Sequence, residues 1–305
     1  LINAANLQKR VLFALIAAPL GWFVINADFS LLPRSFCAAI LDNPEMRLFP
    51  GHVAIMLIVF VGLFEYVRML AISFPRNGFW LAYFWLAFQF ASYFWPAVSL
   101  KLSLDTYLLI LVVAAESIFW GRATGRWKRA SLLFSGAVFL SVAGFSMLHF
   151  YHDPFQQIFP RLYGNPMLSQ MGIVVVVFSI VMCDTAAYFI GSLWGKRHFS
   201  SISPNKTMEG SIAGMLAAVI ISTAGWWLFA SPRYSPALGL VMGALIGVFA
   251  QAGGFMVSIM KRYFSVKDAS DIFPGHGGVL DRFDSLFFSA PILNLFFFIV
   301  IRIAG

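Results

Sequence analysis

Residues 172–182 read GIVVVVFSIVM and residues 294–303 read NLFFFIVIRI. Neither stretch carries the polar stripe of a helix at a soluble surface or the strict alternation of a barrel strand. Segments apolar on all sides suit helices bordered by lipid or by other helices. The rest of the chain agrees. Its 305 residues are 60% hydrophobic, 17% aromatic and only 11% charged, with mean hydropathy +0.82. Apolar runs repeatedly approach the ~20 residues that cross a ~30 Å hydrocarbon core as a helix. The expected fold class is an all-α polytopic membrane protein. Counting the runs predicts nine spans, centred near Leu15, Ile58, Ala87, Val112, Phe139, Val177, Ala218, Ala244 and Leu295. The first is read as an uncleaved helix, because Pro19, Trp22 and the residues after them offer no small-residue cleavage pattern.

Charge sets an expected orientation. With the N-terminus inside and nine alternating spans, Arg34, Arg47, Lys101, Arg161, Arg233 and Arg302 fall outside, and the rest of the 21 Lys and Arg fall on the cytosolic side. Positive loops stay inside, so the N-terminus is placed in the cytosol and the C-terminus outside. The net charge of +8 is then a feature of one membrane face and of its anionic headgroups, with no nucleic-acid partner implied. Cys37 and Cys183 lie at opposite ends of spans in this scheme, which excludes a disulfide between them. One membrane domain is expected, with N-terminal spans over 1–170 and a chemistry-bearing C-terminal part over 171–305.

Two polar loops carry the remaining signal. The first follows the sixth span and includes Ser203, Lys206, Thr207 and Glu209 in SPNKTMEG, residues 203–210. A helix starting near Met208 would point free N–H groups at an anion, and Lys206 would add a positive charge. Helix capping by Ser203 or Thr207, with Glu209 favoured by the dipole, explains the same residues. Asp184, inside the preceding apolar run, is harder to explain as packing. A carboxylate there costs ~2.5–3.5 kcal/mol on insertion scales unless a cation, a metal or a wet cavity receives it. Glu65 and Glu116 raise the same question near span ends, where Glu65 could pair with Arg68.

The second loop is SIMKRYFSVKDASDIFPGHGGVLDRFD, residues 258–284. Its glycines allow backbone to approach a ligand closely, and its Phe273-Pro274 step ends a helix. Asp281 and Asp284 stand three apart, so a helix beginning at LDRFD would project both from one face as ligands to a hard cation. Lys261, Arg262, Lys267 and Arg282 can neutralise a polyphosphate, whose oxygens Mg²⁺ can bridge to the carboxylates.

At Ser258, Lys261, Arg262, Lys267, Asp268, Ser270, Pro274, His276, Gly277, Gly278, Asp281, Arg282 and Asp284 the sequence resembles the long signature of phosphatidate cytidylyltransferases, or CDP-diacylglycerol synthases. Asp184, the AYFIG of residues 187–191 and SPNKTMEG are similar to the same family. The resemblance implies transfer of CMP from CTP to phosphatidic acid, with release of pyrophosphate, at the cytosolic face of a bacterial inner membrane or the endoplasmic reticulum. It implies Mg²⁺, with room for a second cation, held by Asp281, Asp284 and Asp184. Phosphate charges would fall to Lys206, Lys261, Arg262, Lys267 and Arg282, while Asp268 and His276 would serve the nucleotide or support its site. Ser203, Thr207, Glu209, Gly277 and Gly278 would contact substrate. A homodimer is compatible with this scheme. Many bacterial members carry Gly-Asp shortly before the SxxKR segment, where this chain has Gly253-Gly254. CTP-dependent polyprenol or phytol kinases, CDP-ether-lipid synthases and an anionic-lipid transporter are the alternatives.

Overall fold

The computed structural model describes residues 50–73, 83, 86–87, 90, 126–151, 155–160, 170–198, 203, 206–273 and 277–304. These form α1 (Pro50–Ser73), α2 (Arg126–His149), the single turn α3 (Phe155–Ile158), α4 (Met171–Trp194), α5 (Met208–Phe229), α6 (Ala237–Tyr263) and α7 (Val279–Ala304). Among the described residues the only β-type pairings are two isolated bridges, His198 with Thr207 and Phe273 with Gly277. All helices but α3 contain a segment long and apolar enough to cross a membrane. The protein is an all-helical, multi-pass membrane protein. Six of the predicted span centres fall within these helices. Those at Leu15 and Val112 lie outside the described residues, and around Ala87 only isolated residues are described. Cys37 and Glu116 also lie outside them, and Cys183 is a buried free thiol.

Lipid offers little hydrophobic reason for helices to associate, so close packing and shared hydrogen bonds must do it. The sequence provides small residues where α4, α5 and α6 touch. A Cβ on Gly214 of α5 would stand 2.7 Å from the Cys183 carbonyl oxygen of α4, and one on Gly243 of α6 would stand 2.5 Å from Val219 Cα of α5. Backbone therefore meets backbone. In the middle of the α4–α5 seam Ser222 Oγ donates to Ser179 Oγ at 3.0 Å, and Ser179 Oγ donates to Val175 O at 2.7 Å. Both hydroxyls are buried and satisfied.

Helices α4 to α7 run alternately up and down, each packed on the next, while α1 and α2 pack against each other and against α7. This puts the end of α4, the start of α5, the end of α6 and the start of α7 at one end of the bundle. Aromatic rings close the other end: Phe155 lies 4.9 Å from Phe297 and Phe159 lies 5.3 Å from Trp226, centroid to centroid. One end is thus filled by apolar packing, and the other receives both polar loops.

Candidate active site

The turn into α5 shows how the first loop is built. Thr207 has extended backbone and caps α5, its Oγ1 accepting from Gly210 N at 3.2 Å. Glu209 Oε2 accepts from Lys196 N at 3.1 Å and Arg197 N at 3.2 Å, and Met208 N donates to Arg197 O at 2.9 Å. Thr207 and Glu209, which the resemblance implies as substrate contacts, also hold the loop to itself. Ser203 closes a turn, its carbonyl accepting from Lys206 N at 3.0 Å. That turn sends the Lys206 side chain inward, where Nζ lies 3.4 Å from Gln251 O of α6. Burial holds the Lys206 ammonium below the usual lysine pKa range, against the opposing pull of the Asp284 and Asp184 carboxylates.

Around this ammonium the late helices bring two acids together. Ser285 Oγ is 2.8 Å from Asp184 Oδ2 of α4 and 3.2 Å from Asp284 Oδ1 of its own helix. A hydroxyl has one proton to give, so it donates to only one of the two acids, while Asp284 Oδ1 also accepts from Ser285 N at 2.6 Å. Asp184 is exposed although it lies within a membrane-spanning helix. Its exposure lets it avoid the cost of a carboxylate enclosed in an apolar span. Gly254 of α6 completes the wall: a Cβ there would stand 2.7 Å from Lys206 Nζ and 3.3 Å from Asp284 Oδ2. The position where many relatives of the resembled family carry Asp thus faces the same two groups. Gln251, which sequence reasoning missed, anchors this wall by donating from Nε2 to Ser211 O at 2.8 Å.

Asp281, one turn earlier, has a different environment. Oδ1 makes an ion pair with Lys261, and Oδ2 accepts from Ala269 N at 2.8 Å and Gly278 N at 3.0 Å. Although i and i+3 positions share a helix face, these bonds hold Asp281 against Lys261 and the backbone of Ala269 and Gly278, partners that Asp284 does not share. Within that loop Gly277 has φ +78°, a conformation glycine adopts without strain, and Phe273 N donates to Gly277 O at 3.0 Å. Gly278 is buried. Arg262, Lys267, Asp268 and Arg282 are exposed at this end, with Arg262 Nη1 donating to Val266 O at 3.2 Å. His276 lies outside the described residues.

Glu65 is the other residue whose place the sequence did not reveal. It is fully buried on α1 and turned toward the same loop, whereas Arg68 is exposed. Its carboxylate accepts from the Ser270 hydroxyl, from Val279 N at 2.8 Å and from Leu280 N at 2.8 Å. The only sequence signal was an acid in an apolar helix. Its partners lie more than two hundred positions away, beyond any local pattern.

Asp184 and Asp284 fit a divalent cation that also takes phosphate oxygens. Mg²⁺ is commonly bound by one or two carboxylates plus phosphates and water, in preference to a cage made wholly of protein. Among the described residues no group of three or more His, Cys, Asp or Glu is placed to hold a metal by itself. Two acids and a partly buried ammonium thus stand together, with exposed Arg and Lys at the same end of the bundle.

Comparison with known proteins bears on that arrangement: the profile of the cytidylyltransferase family matches residues 25–300. The chain belongs to this family. Among curated members, this cytidylyltransferase-family chain is 36% identical over 148 residues to the phosphatidate cytidylyltransferase of Synechocystis sp., an alignment covering 48% of the chain and 50% of the relative. The protein of the same name in Bacillus subtilis is 39% identical over 130 residues, covering 41% and 48%. That of Staphylococcus saprophyticus is 40% identical over 124 residues, covering 40% and 47%. The chain spans about half the length of the curated relatives it matches.

Proposed function

We propose that the protein transfers CMP from CTP to phosphatidic acid, giving CDP-diacylglycerol and pyrophosphate. The observation that carries this reading is the joint approach of Asp184, Asp284 and Lys206 at the polar end of the bundle, in a chain of the cytidylyltransferase family. A lipid phosphate oxygen would attack the α-phosphorus of CTP. The bond from that phosphorus to the bridging oxygen breaks, and pyrophosphate leaves with the electron pair. Two anions must meet for this to happen, so positive charge fixed in advance is the main requirement. Lys206 offers an ammonium from one side, and Arg262, Lys267 and Arg282 line the exposed rim. Asp184 and Asp284 would hold Mg²⁺, which when bound neutralises phosphate charge and aligns the oxygens. Lys261 and Asp281 are assigned to bracing the loop, as are Thr207 and Glu209. Asp268 and His276 remain assigned to the nucleotide side, and Ser203, Gly277 and Gly278 to the backbone that approaches it.

The same reading keeps nine spans, a cytosolic N-terminus and an active site facing the cytosol, in a bacterial inner membrane or the endoplasmic reticulum, with a homodimer allowed. Single cysteines at positions 201 and 265 should both label from the cytosolic face of sealed vesicles. Labelling from opposite faces would refute that topology. The activity itself is tested with purified protein, phosphatidic acid, Mg²⁺ and CTP carrying label in the cytidine. A labelled lipid with equimolar pyrophosphate is expected. Release of CDP would instead mark a lipid kinase, and unchanged CTP a protein that only binds or moves its lipid.

A further inference from the structure

We propose that Glu65 is a positioning residue of the active site: by fixing the first turn of α7 and the loop before it, it sets where Asp284 stands relative to Asp184. The inference rests on the nucleotidyl-transfer reading above. A helix begins with four N–H groups that have no partner within it. A local Ser, Thr, Asp or Asn side chain usually serves them. At the start of α7 the work is divided between two acids. Asp281 takes Gly278 N, and Glu65, from α1, takes Val279 N and Leu280 N. Glu65 also takes the Ser270 hydroxyl, on the other side of the Gly277–Gly278 turn. One buried carboxylate thus ties both arms of the loop to a separate helix. Its position at the positive end of α7 adds a favourable dipole interaction.

Fit between the parts is close. A Cβ on Gly278 would stand 2.5 Å from both Glu65 oxygens, so the carboxylate occupies the space a side chain would fill. Helix α1 is itself anchored, since the neighbouring Tyr66 hydroxyl donates to Leu132 O of α2 at 2.6 Å. A local cap would suffice to keep α7 helical. A cap supplied by a different helix also fixes where that helix starts. Asp284 follows Leu280 by about one turn, roughly 6 Å along the axis, so a displaced first turn displaces Asp284 against Asp184 on α4. Misplacement by about 1 Å can cost on the order of a hundredfold in rate.

Glu65→Gln keeps shape but offers one acceptor oxygen to three donors and turns an NH₂ group toward them. The expected result is a kcat at least about tenfold lower and a half-saturating Mg²⁺ concentration raised at least about threefold. Amide hydrogen exchange should be faster at Val279, Leu280 and the 264–278 loop, and unchanged in α4 and α5. Ser270→Ala keeps the acid and removes one donor. It should move the same readouts less, and it decides the matter if Glu65→Gln does not accumulate. A Glu65 that merely supports folding would lower yield or melting temperature while the folded fraction kept its turnover and Mg²⁺ requirement, and that outcome overturns the proposal. Exchange is read on protein without nucleotide, lipid or metal. If the unaltered protein forms no CMP-bearing lipid, the reading of its function fails; unchanged exchange in Glu65→Gln refutes the Glu65 role whether or not that lipid forms.

Discussion

Asp281 and Asp284 lie one helical turn apart, yet they belong to two different regions. Around Asp281 every visible partner is already in place: the Lys261 ammonium, two backbone N–H groups, and side chains only 14% and 7% exposed for the ion pair. Around Asp284 one oxygen accepts from Ser285 N at 2.6 Å, and the remaining contact is shared with a second acid. Two acids share one hydroxyl, and an ammonium stands beside them across the side-chain-free face of Gly254. A saturated acid builds structure, whereas on the proposed reading an acid facing another acid is prepared for a cation. Residue type and spacing are alike in both cases, so the partners decide the role.

The most direct way to break this comparison is to neutralise each acid in turn. Asp284→Asn and Asp184→Asn should each lower kcat by at least about a thousandfold, about 4 kcal/mol, with the melting temperature in detergent little changed. Retention of most Mg²⁺-dependent activity in either variant would end the assignment of that pair to the ion. Asp281→Asn should act on stability. It leaves Lys261 without its countercharge in a mostly buried site and should cost about 3 kcal/mol in thermal or denaturant unfolding. If turnover vanished at unchanged stability, the two regions would have to be merged and Asp281 returned to the ion.

Smaller effects sharpen the contrast within the first loop. Lys206→Ala should lower kcat/KM for CTP about tenfold, about 1.4 kcal/mol, without loss of fold, because Lys206 is the loop residue that reaches the acids. Normal kinetics would reduce SPNKTMEG to a capping segment. Thr207→Ala should remove about 1 kcal/mol of stability and leave the KM for CTP unchanged, as measured by unfolding and initial rates. A raised KM would show that the cap touches nucleotide as well.

The class of fold could be read from runs such as GIVVVVFSIVM because lipid imposes its demand residue by residue, along the chain. The polar end of the bundle could be located for a similar reason: Lys206, Asp184 and the 258–284 stretch are unusual in their own segments. What no segment contains is the choice of partner. That Asp281 would meet Lys261 while Asp284 met Asp184 depends on how α4, α6 and α7 pack. The Glu65 contacts depend on α1 reaching a loop more than two hundred residues later. The helical i, i+3 rule puts Asp281 and Asp284 near one face and Glu65 near Arg68, but different hydrogen-bond partners separate the two aspartates and burial separates Glu65 from Arg68.

The bond from Ser285 to Asp184 also has a mechanical meaning. Among the described elements α4 lies tightly along α5, backbone against backbone, but scarcely meets α7. At the candidate site that thin boundary is bridged by the Ser285 hydroxyl, 2.8 Å from Asp184 Oδ2. A hydrogen bond to a charged group is worth about 1.5–3 kcal/mol. The late helices are closely packed along the glycine seams and sparsely joined along this edge, so on the proposed reading a lipid substrate would meet the acids from the side where least packing stands in its way.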